Sequence, residues 1–261
     1  MKNSGTTKLL RKVPQVALLF WVIKLLTTAM GESTSDFLVF HFNPYASVIL
    51  GFIVFVAVLW LQFRARKYIP WLYWLTVLMV AIFGTMAADV IHVVLGVPYL
   101  VSTVAFAVAL TTIFYVWQRT EGTLSIHSIT TTRREVFYWA TVLTTFALGT
   151  AAGDMFAYTL NLGFLTAGVV FAVIFAIPAI GYKFFKWNPI FSFWFAYILT
   201  RPLGASFADW TGKIKDVGGL GWGDGPVAAV LLLLMIILVS YLQITHEDID
   251  KSTPEHSTPR G

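Results

Sequence analysis

The chain has 261 residues, of which 57% are hydrophobic and only 12% are charged. This composition is typical of an integral membrane protein and excludes an ordinary soluble globular enzyme. The absence of cysteine excludes disulfides, thiolate metal ligands and cysteine nucleophiles, and basic membrane loops account for the net charge of +5 without a nucleic-acid partner.

Eight apolar stretches are long enough, at about 20 residues each, to form membrane-spanning helices. They are predicted at 14–37, 45–63, 70–92, 98–118, 135–158, 162–182, 188–210 and 226–244. Pro44, Pro70 and Pro189 stand at or near predicted helix starts, where proline is well tolerated. The expected fold class is therefore all-α, a polytopic membrane protein with about eight transmembrane helices.

The basic residues predict an orientation. Of the 18 lysines and arginines, most fall in the N-terminus, the loops after predicted helices 2, 4 and 6, and the C-terminal tail. The opposite side carries Lys213 and Lys215 in a glycine-rich loop over 211–225. Basic residues collect in cytoplasmic loops, so both termini are predicted to be cytoplasmic.

One pattern occurs four times: a Trp, nine residues, a Gly, four residues and an Asp. The copies are Trp21–Gly31–Asp36, Trp74–Gly84–Asp89, Trp139–Gly149–Asp154 and Trp194–Gly204–Asp209. They fall on predicted helices 1, 3, 5 and 7, so each repeat pairs a motif helix with a plainer partner helix. An even number of spans per repeat gives all four copies the same orientation, about an axis along the membrane normal.

These repeats define the expected domain organisation. A single transmembrane domain covers 1–245, with repeats near 14–66, 67–120, 133–184 and 187–245. The polar segment 246–261 is predicted to be a disordered cytoplasmic tail.

The motif segments resemble a bacterial integral-membrane family built from four copies of a repeat of unknown function, whose members are commonly labelled uncharacterised membrane-anchored proteins. The resemblance spans nearly the whole chain and implies a multi-pass protein of the bacterial inner membrane. It carries over no established activity. The segments that carry it are Lys24-Leu-Leu-Thr-Thr-Ala-Met-Gly-Glu32 with Asp36, Gly84-Thr-Met-Ala-Ala-Asp89, Gly149-Thr-Ala-Ala-Gly-Asp154 and Arg201-Pro-Leu-Gly-Ala-Ser-Phe-Ala-Asp209.

Carboxylates inside predicted membrane helices form the candidate ion- or substrate-binding site, because a buried charge in a bilayer is expensive and is usually functional. Glu32 and Asp36 lie one turn apart on one helix face and are the candidate metal ligands. Lys24 and Arg201 are the internal counter-charges, either alternating partners on a gated path or members of a permanent structural network. The repeat-related partners are Asp89, Asp154 and Asp209.

The motif glycines have two interpretations. Small residues let membrane helices approach closely, which is the favoured reading for Gly31, Gly84, Gly149 and Gly204. Local unwinding that frees backbone carbonyls is the alternative, and it is most plausible at Arg201-Pro202 because proline removes a helical hydrogen bond.

The favoured function is secondary transport of a small cation, with a divalent metal ion as first candidate and with coupling to protons. One alternative is a proton-coupled carrier of a small organic solute, and the other is a non-transporting scaffold or sensor with a structural charge network. No enzymatic motif is present and no cofactor is expected. The expected partners are the lipid bilayer and the ion or solute, without nucleic acid, and an oligomer is left open.

Overall fold

The computed structural model describes residues 11–249, and within that range its regular secondary structure is helical, without strands. Eight α-helices are present in this range, close to the eight predicted apolar stretches. They are α1 Leu18–His41, α2 Pro44–Arg64, α3 Pro70–Asp89, α4 Tyr99–Glu121, α5 Thr132–Asp154, α6 Gly163–Phe185, α7 Pro189–Gly212 and α8 Asp224–Thr245.

Local sequence signals explain where several of these helices begin. Proline occupies the first position of α2, α3 and α7, where its missing N–H group is not needed. The side chains of Asn43 and Asn188 accept hydrogen bonds from the first free backbone N–H groups of α2 and α7. Helix α7 continues unbroken through Pro202.

The four motif helices form a closed ring. Helix α1 packs against α3, α3 against α5, α5 against α7, and α7 against α1. The helices run parallel, because residues at equivalent motif positions lie at the same level, as the hydroxyl contact between Tyr73 and Tyr138 shows. The ring therefore has an approximate fourfold axis. We call its two ends the tryptophan end and the aspartate end, after the motif residues found there.

The partner helices lie outside this ring. Each packs against the motif helix of the following repeat, with α2 on α3, α4 on α5, α6 on α7, and α8 on α1. Large apolar side chains on their outer faces are exposed, including Phe52, Val104 and Leu233. A hydrocarbon environment suits these faces.

Among the described residues, six helices are long and apolar enough to cross a membrane, as expected of a multi-pass membrane protein. Four of them are α2, α4, α6 and α8. The other two are α3, which a π-helical turn extends to Val94, and α5, which a second π-helical turn extends to Thr159. Helices α1 and α7 are each 24 residues long, but they carry the charged residues of the candidate site.

The N-terminal segment differs from its prediction. Helix α1 begins at Leu18, so the residues from position 14 belong to an extended segment. Lys12 and Val13 are buried there, and Lys12 pairs with the buried Glu135 at 2.5 Å. Of the predicted disordered tail 246–261, the structure describes the first four residues. Asp248 is buried there and accepts a hydrogen bond from Tyr68, whereas 250–261 lie outside the described residues.

Candidate functional site

Each motif glycine lies against the next motif helix, at the residue three positions before that helix's own glycine. A methyl group added at Gly84 would lie 3.0 Å from Phe146 Cβ, and one at Gly149 would lie 2.5 Å from Arg201 Cβ. An added methyl at Gly31 would collide with Ala81, and one at Gly204 with Thr28, which closes the ring from the fourth repeat to the first. Glycine is what allows the four helices to approach this closely.

Arg201 reaches the axis of the ring and contacts the three other motif helices with one nitrogen. Its Nη2 donates hydrogen bonds to the Glu32 carboxylate on α1, to Thr85 on α3, and to Thr150 Oγ1 on α5 at 2.8 Å. Glu32, Thr85 and Thr150 each follow the motif glycine of their own repeat. The fourth equivalent is Ala205, on the helix that carries Arg201. The residue after the motif glycine therefore faces the axis in the first three repeats.

Three carboxylates form what we call the acidic cluster: Glu32, Asp36 and Asp209. Each offers one oxygen, and these oxygens all lie within 4.8 Å of one another. All three residues are buried. Helix α1 supplies the first two, one turn apart, and the contact between α1 and α7 brings in Asp209.

Lys213 is the second basic residue at the acidic cluster. It is the first residue after α7, and its ammonium pairs with Asp36 while lying 4.0 Å from Asp209 and 3.8 Å from Asp224. Burial by itself lowers the pKa of Lys213, but the nearby carboxylates of Asp36 and Asp209 raise that pKa above its ordinary value. Lys213 is therefore a permanent positive charge at neutral pH.

Asp89 and Asp154 are not in the acidic cluster. Each is half-buried and ends its α-helix, and a π-helical turn follows, Val90–Val94 after Asp89 and Met155–Thr159 after Asp154. Both lie near enough to Glu32 to interact with its charge, although neither forms an ion pair within residues 11–249. Single π-helical turns are frequent at functional sites. The four aspartates therefore form two kinds of position around one acidic region.

Lys24 lies deeper in the ring than the acidic cluster. Its side chain is 1% exposed, and its ammonium is 3.9 Å from the ring centre of Phe146 and 4.3 Å from that of Tyr197. No carboxylate lies within ion-pair distance of it in the described part of the chain. Two aromatic faces thus stabilise this charge. Phe146 also lies 5.8 Å from the Arg201 guanidinium, so it is shared by both buried cations.

An aromatic layer fills the axis toward the tryptophan end. It is formed mainly by the residues that precede the motif tryptophans: Phe20, Tyr73, Tyr138 and Phe193. The ring centres of Phe20 and Phe193 are 6.1 Å apart, and the Tyr73 and Tyr138 hydroxyls form a hydrogen bond. The polar region therefore ends at a layer of packed rings on its tryptophan side.

Sequence reasoning missed three members of this site. Lys213 falls in the predicted glycine-rich loop, although its i,i+4 spacing from Asp209 places the two side chains on one helical face. Thr85 and Thr150 are not among the candidate site residues that the sequence predicts. Their equivalence to Glu32 in the repeat was the available signal that they face the axis.

The arrangement carries an excess of acid. Three basic side chains, Lys24, Arg201 and Lys213, accompany six carboxyl groups: Glu32, Asp36, Asp89, Asp154, Asp209 and Asp224. Buried carboxylates that lack basic partners need protons or cations to neutralise them. Chemically, the region can bind a cation through carboxylate oxygens or exchange that cation for protons.

Comparison with known proteins is consistent with the repeat architecture. Neither a curated protein nor a solved structure matches the chain. A family model described as Repeat of Unknown Function (DUF347) matches four times, at residues 19–68, 72–123, 137–186 and 192–247. These four matches cover most of the sequence and include every copy of the Trp–Gly–Asp pattern. The chain therefore belongs to this four-repeat DUF347 family.

Proposed function

We propose that the protein is a secondary transporter of a small divalent metal cation, which it exchanges for protons. The observation that carries this proposal is the acidic cluster, in which three buried carboxylates from two helices converge within 4.8 Å. Only Arg201 and Lys213 pair with these carboxylates in the described part of the chain. A carboxylate that binds either a cation or a proton couples the two movements.

The donor set favours a hard cation. Carboxylate and hydroxyl oxygens are preferred by Mg²⁺, Ca²⁺ and Mn²⁺, whereas softer metals prefer thiolates, which this chain lacks. In the described part of the chain, the buried hydroxyls of Ser33 and Ser35 have no hydrogen-bond partner; the two residues lie between Glu32 and Asp36 along α1. They are further oxygen atoms in the polar segment from Glu32 to Asp36.

The proposal includes a membrane topology. All eight helices cross the bacterial inner membrane, with both termini in the cytoplasm and the aspartate end facing outward. Helices α1 and α7 cross despite their charges because the ring shields those charges from lipid. Reporter fusions after Leu124, Asn161 and Tyr182 test this topology. Cytoplasmic activity is expected after Leu124 and Tyr182, and cytoplasmic activity after Asn161 would contradict the model.

Cation binding to purified protein tests the site. Mn²⁺, Mg²⁺ and Ca²⁺ are titrated calorimetrically against the wild type and against the Glu32→Gln, Asp36→Asn and Asp209→Asn variants. We expect binding by the wild type of at least one cation and losses of about tenfold or more in each variant, equivalent to about 1.4 kcal/mol. Asp216→Asn is the matched control, because Asp216 is exposed in the loop after α7. Equal affinities in all four variants would contradict the site.

A further inference from the structure

The position of Arg201 has a consequence for how the proposed site empties. The side chain is 1% exposed, and its Nη2 is bonded to Glu32, Thr85 and Thr150. Its other two nitrogens, Nε and Nη1, are buried and have no hydrogen-bond partner among residues 11–249. An arginine normally uses its donors fully when it is buried, so this guanidinium is held by its charge interaction rather than by a complete set of hydrogen bonds.

Arg201 and a cation in the acidic cluster require the same carboxylate. Glu32 is both the ion-pair partner of Arg201 and a member of the cluster, and Arg201 is its only ion-pair partner within residues 11–249. A cation bound by Glu32, Asp36 and Asp209 would stand close to the guanidinium. Two positive charges at this separation repel strongly in a buried site. Occupation by the cation therefore disfavours the Arg201–Glu32 ion pair.

We propose that Arg201 takes the place of the transported cation. It pairs with Glu32 when the cation is absent, and this ion pair breaks when the cation binds. This inference rests on the proposed transport function. The surroundings of Arg201 allow such exchange: Thr85 and Thr150 offer hydroxyls at the same level on neighbouring helices, and the Phe146 ring lies 5.8 Å away.

Whether Arg201 can take the place of the cation determines whether the transporter can return after it has released the cation. A transporter that has released its cation must return without it. In the proposed exchange the protons return on the other carboxylates of the acidic cluster, Asp36 and Asp209, while Glu32 returns as a neutralised pair with Arg201. Without Arg201, Glu32 would return either as an unpaired buried carboxylate, which is strongly unfavourable, or with an additional proton that the wild-type cycle does not need. Exchange of one bound cation for another avoids the empty state and needs no Arg201.

Net flux and exchange are therefore compared in proteoliposomes with Mn²⁺ as the probe. Net uptake is followed by quenching of an entrapped fluorophore, and exchange by radioactive Mn²⁺ entering vesicles that are preloaded with Mn²⁺. Arg201→Gln removes the charge and Arg201→Lys retains it. Arg119→Gln is the control, because Arg119 is an exposed cation at the end of α4.

For Arg201→Gln we expect net uptake to fall about 100-fold while exchange stays within about threefold of the wild type, the difference corresponding to a few kcal/mol in the empty-return step. Arg201→Lys should retain net uptake to within about tenfold.

Wild-type net uptake by Arg201→Gln would overturn the inference, and so would equal loss of net uptake in both variants. If Arg201→Gln does not purify, the same two fluxes are measured for Arg201→Met, which also removes the charge and keeps Glu32, and wild-type net uptake by that variant would also overturn it. Absence of both net flux and exchange in the wild type would instead refute the proposed transport of Mn²⁺.

Discussion

Arg201 and Glu32 form an ion pair between the fourth repeat and the first, at the point where the ring of motif helices closes. Both side chains are buried, and Thr85 and Thr150 bring the second and third repeats to the same nitrogen. One guanidinium therefore joins all four copies of the motif. The repeats are equivalent in backbone, but this centre is built from three different residue types at two motif positions.

The ion pair should contribute to stability mainly through the penalty for breaking it. Glu32→Gln or Arg201→Met alone leaves one buried charge without its partner, and we expect each to lower the free energy of unfolding in detergent by about 3–5 kcal/mol. The double variant removes both charges and should recover much of that loss. Additive losses in the double variant would contradict this account.

An exposed ion pair provides the comparison for that cycle. Arg133, whose side chain is 67% exposed, pairs with Glu121 across the loop between α4 and α5. Water competes for the Arg133 guanidinium, and Arg134 still pairs with Glu121 when Arg133 is replaced, so Arg133→Met should leave thermal stability in detergent almost unchanged. A loss as large as that of Arg201→Met would show that charge removal in general, rather than burial, sets the effect.

Two glycines one turn apart on α5 test the close packing of the ring. A methyl group at Gly149 would overlap Arg201 and Pro202, whereas at Gly153 its nearest neighbour would be Pro202 at 3.8 Å, an ordinary contact. Gly149→Ala should destabilise the protein by about 1–3 kcal/mol, because the buried neighbours must move. Gly153→Ala should be neutral or stabilising, as alanine favours a helix over glycine. Equal melting temperatures in detergent would contradict the packing.

The sequence predicted the number of helices, their approximate limits and the four repeats, because apolar length and repeat spacing determine these features. It did not predict which acids converge. Asp209 joins Glu32 and Asp36, while Asp89 and Asp154 end their helices at π-helical turns, and no spacing in the motif distinguishes these two classes.

The partners of the two intramembrane cations were also beyond sequence reasoning. Lys24 and Arg201 occupy different motif positions, and only contacts between repeats determine their surroundings. Lys24 meets the rings of Phe146 and Tyr197, while Arg201 meets Glu32. Local periodicity carries no information about such contacts between distant repeats.

The tyrosine pair in the aromatic layer should show strong coupling. Tyr73→Phe or Tyr138→Phe leaves one buried hydroxyl without its partner, and each should cost about 1–3 kcal/mol of stability. The double variant should be nearly neutral, because Phe20 and Phe193 already occupy the equivalent positions of the other repeats. Tyr182→Phe at an exposed position is the control. Additive losses, measured by unfolding in detergent, would exclude a direct hydroxyl contact.

Lys213 should weaken cation binding because its ammonium already pairs with Asp36, a member of the acidic cluster. Lys213→Met is expected to tighten Mn²⁺ binding about tenfold, whereas Lys215→Met, an exposed change in the same loop, should have no effect. The pKa of Lys213 is raised above the ordinary value of 10.5, so the group stays charged below that pH, and its ion-pair stabilisation is lost only as pH rises through the raised pKa. At about pH 8, below this raised pKa, Lys213 is charged, and the tightening should be measurable there by calorimetry. Weaker binding by Lys213→Met would contradict the assigned role.

The central claim is that Glu32 carries the transported cation through the ring, and Mn²⁺ uptake into proteoliposomes with an opposing proton gradient tests it most directly. The wild type and the Asp216→Asn control should accumulate Mn²⁺ and release protons into the external solution. Glu32→Gln, inserted and purified to the same yield, should do neither, at any pH. Uptake by Glu32→Gln at the wild-type rate across the whole pH range would contradict the claim and leave the Glu32–Arg201 pair with a structural role alone.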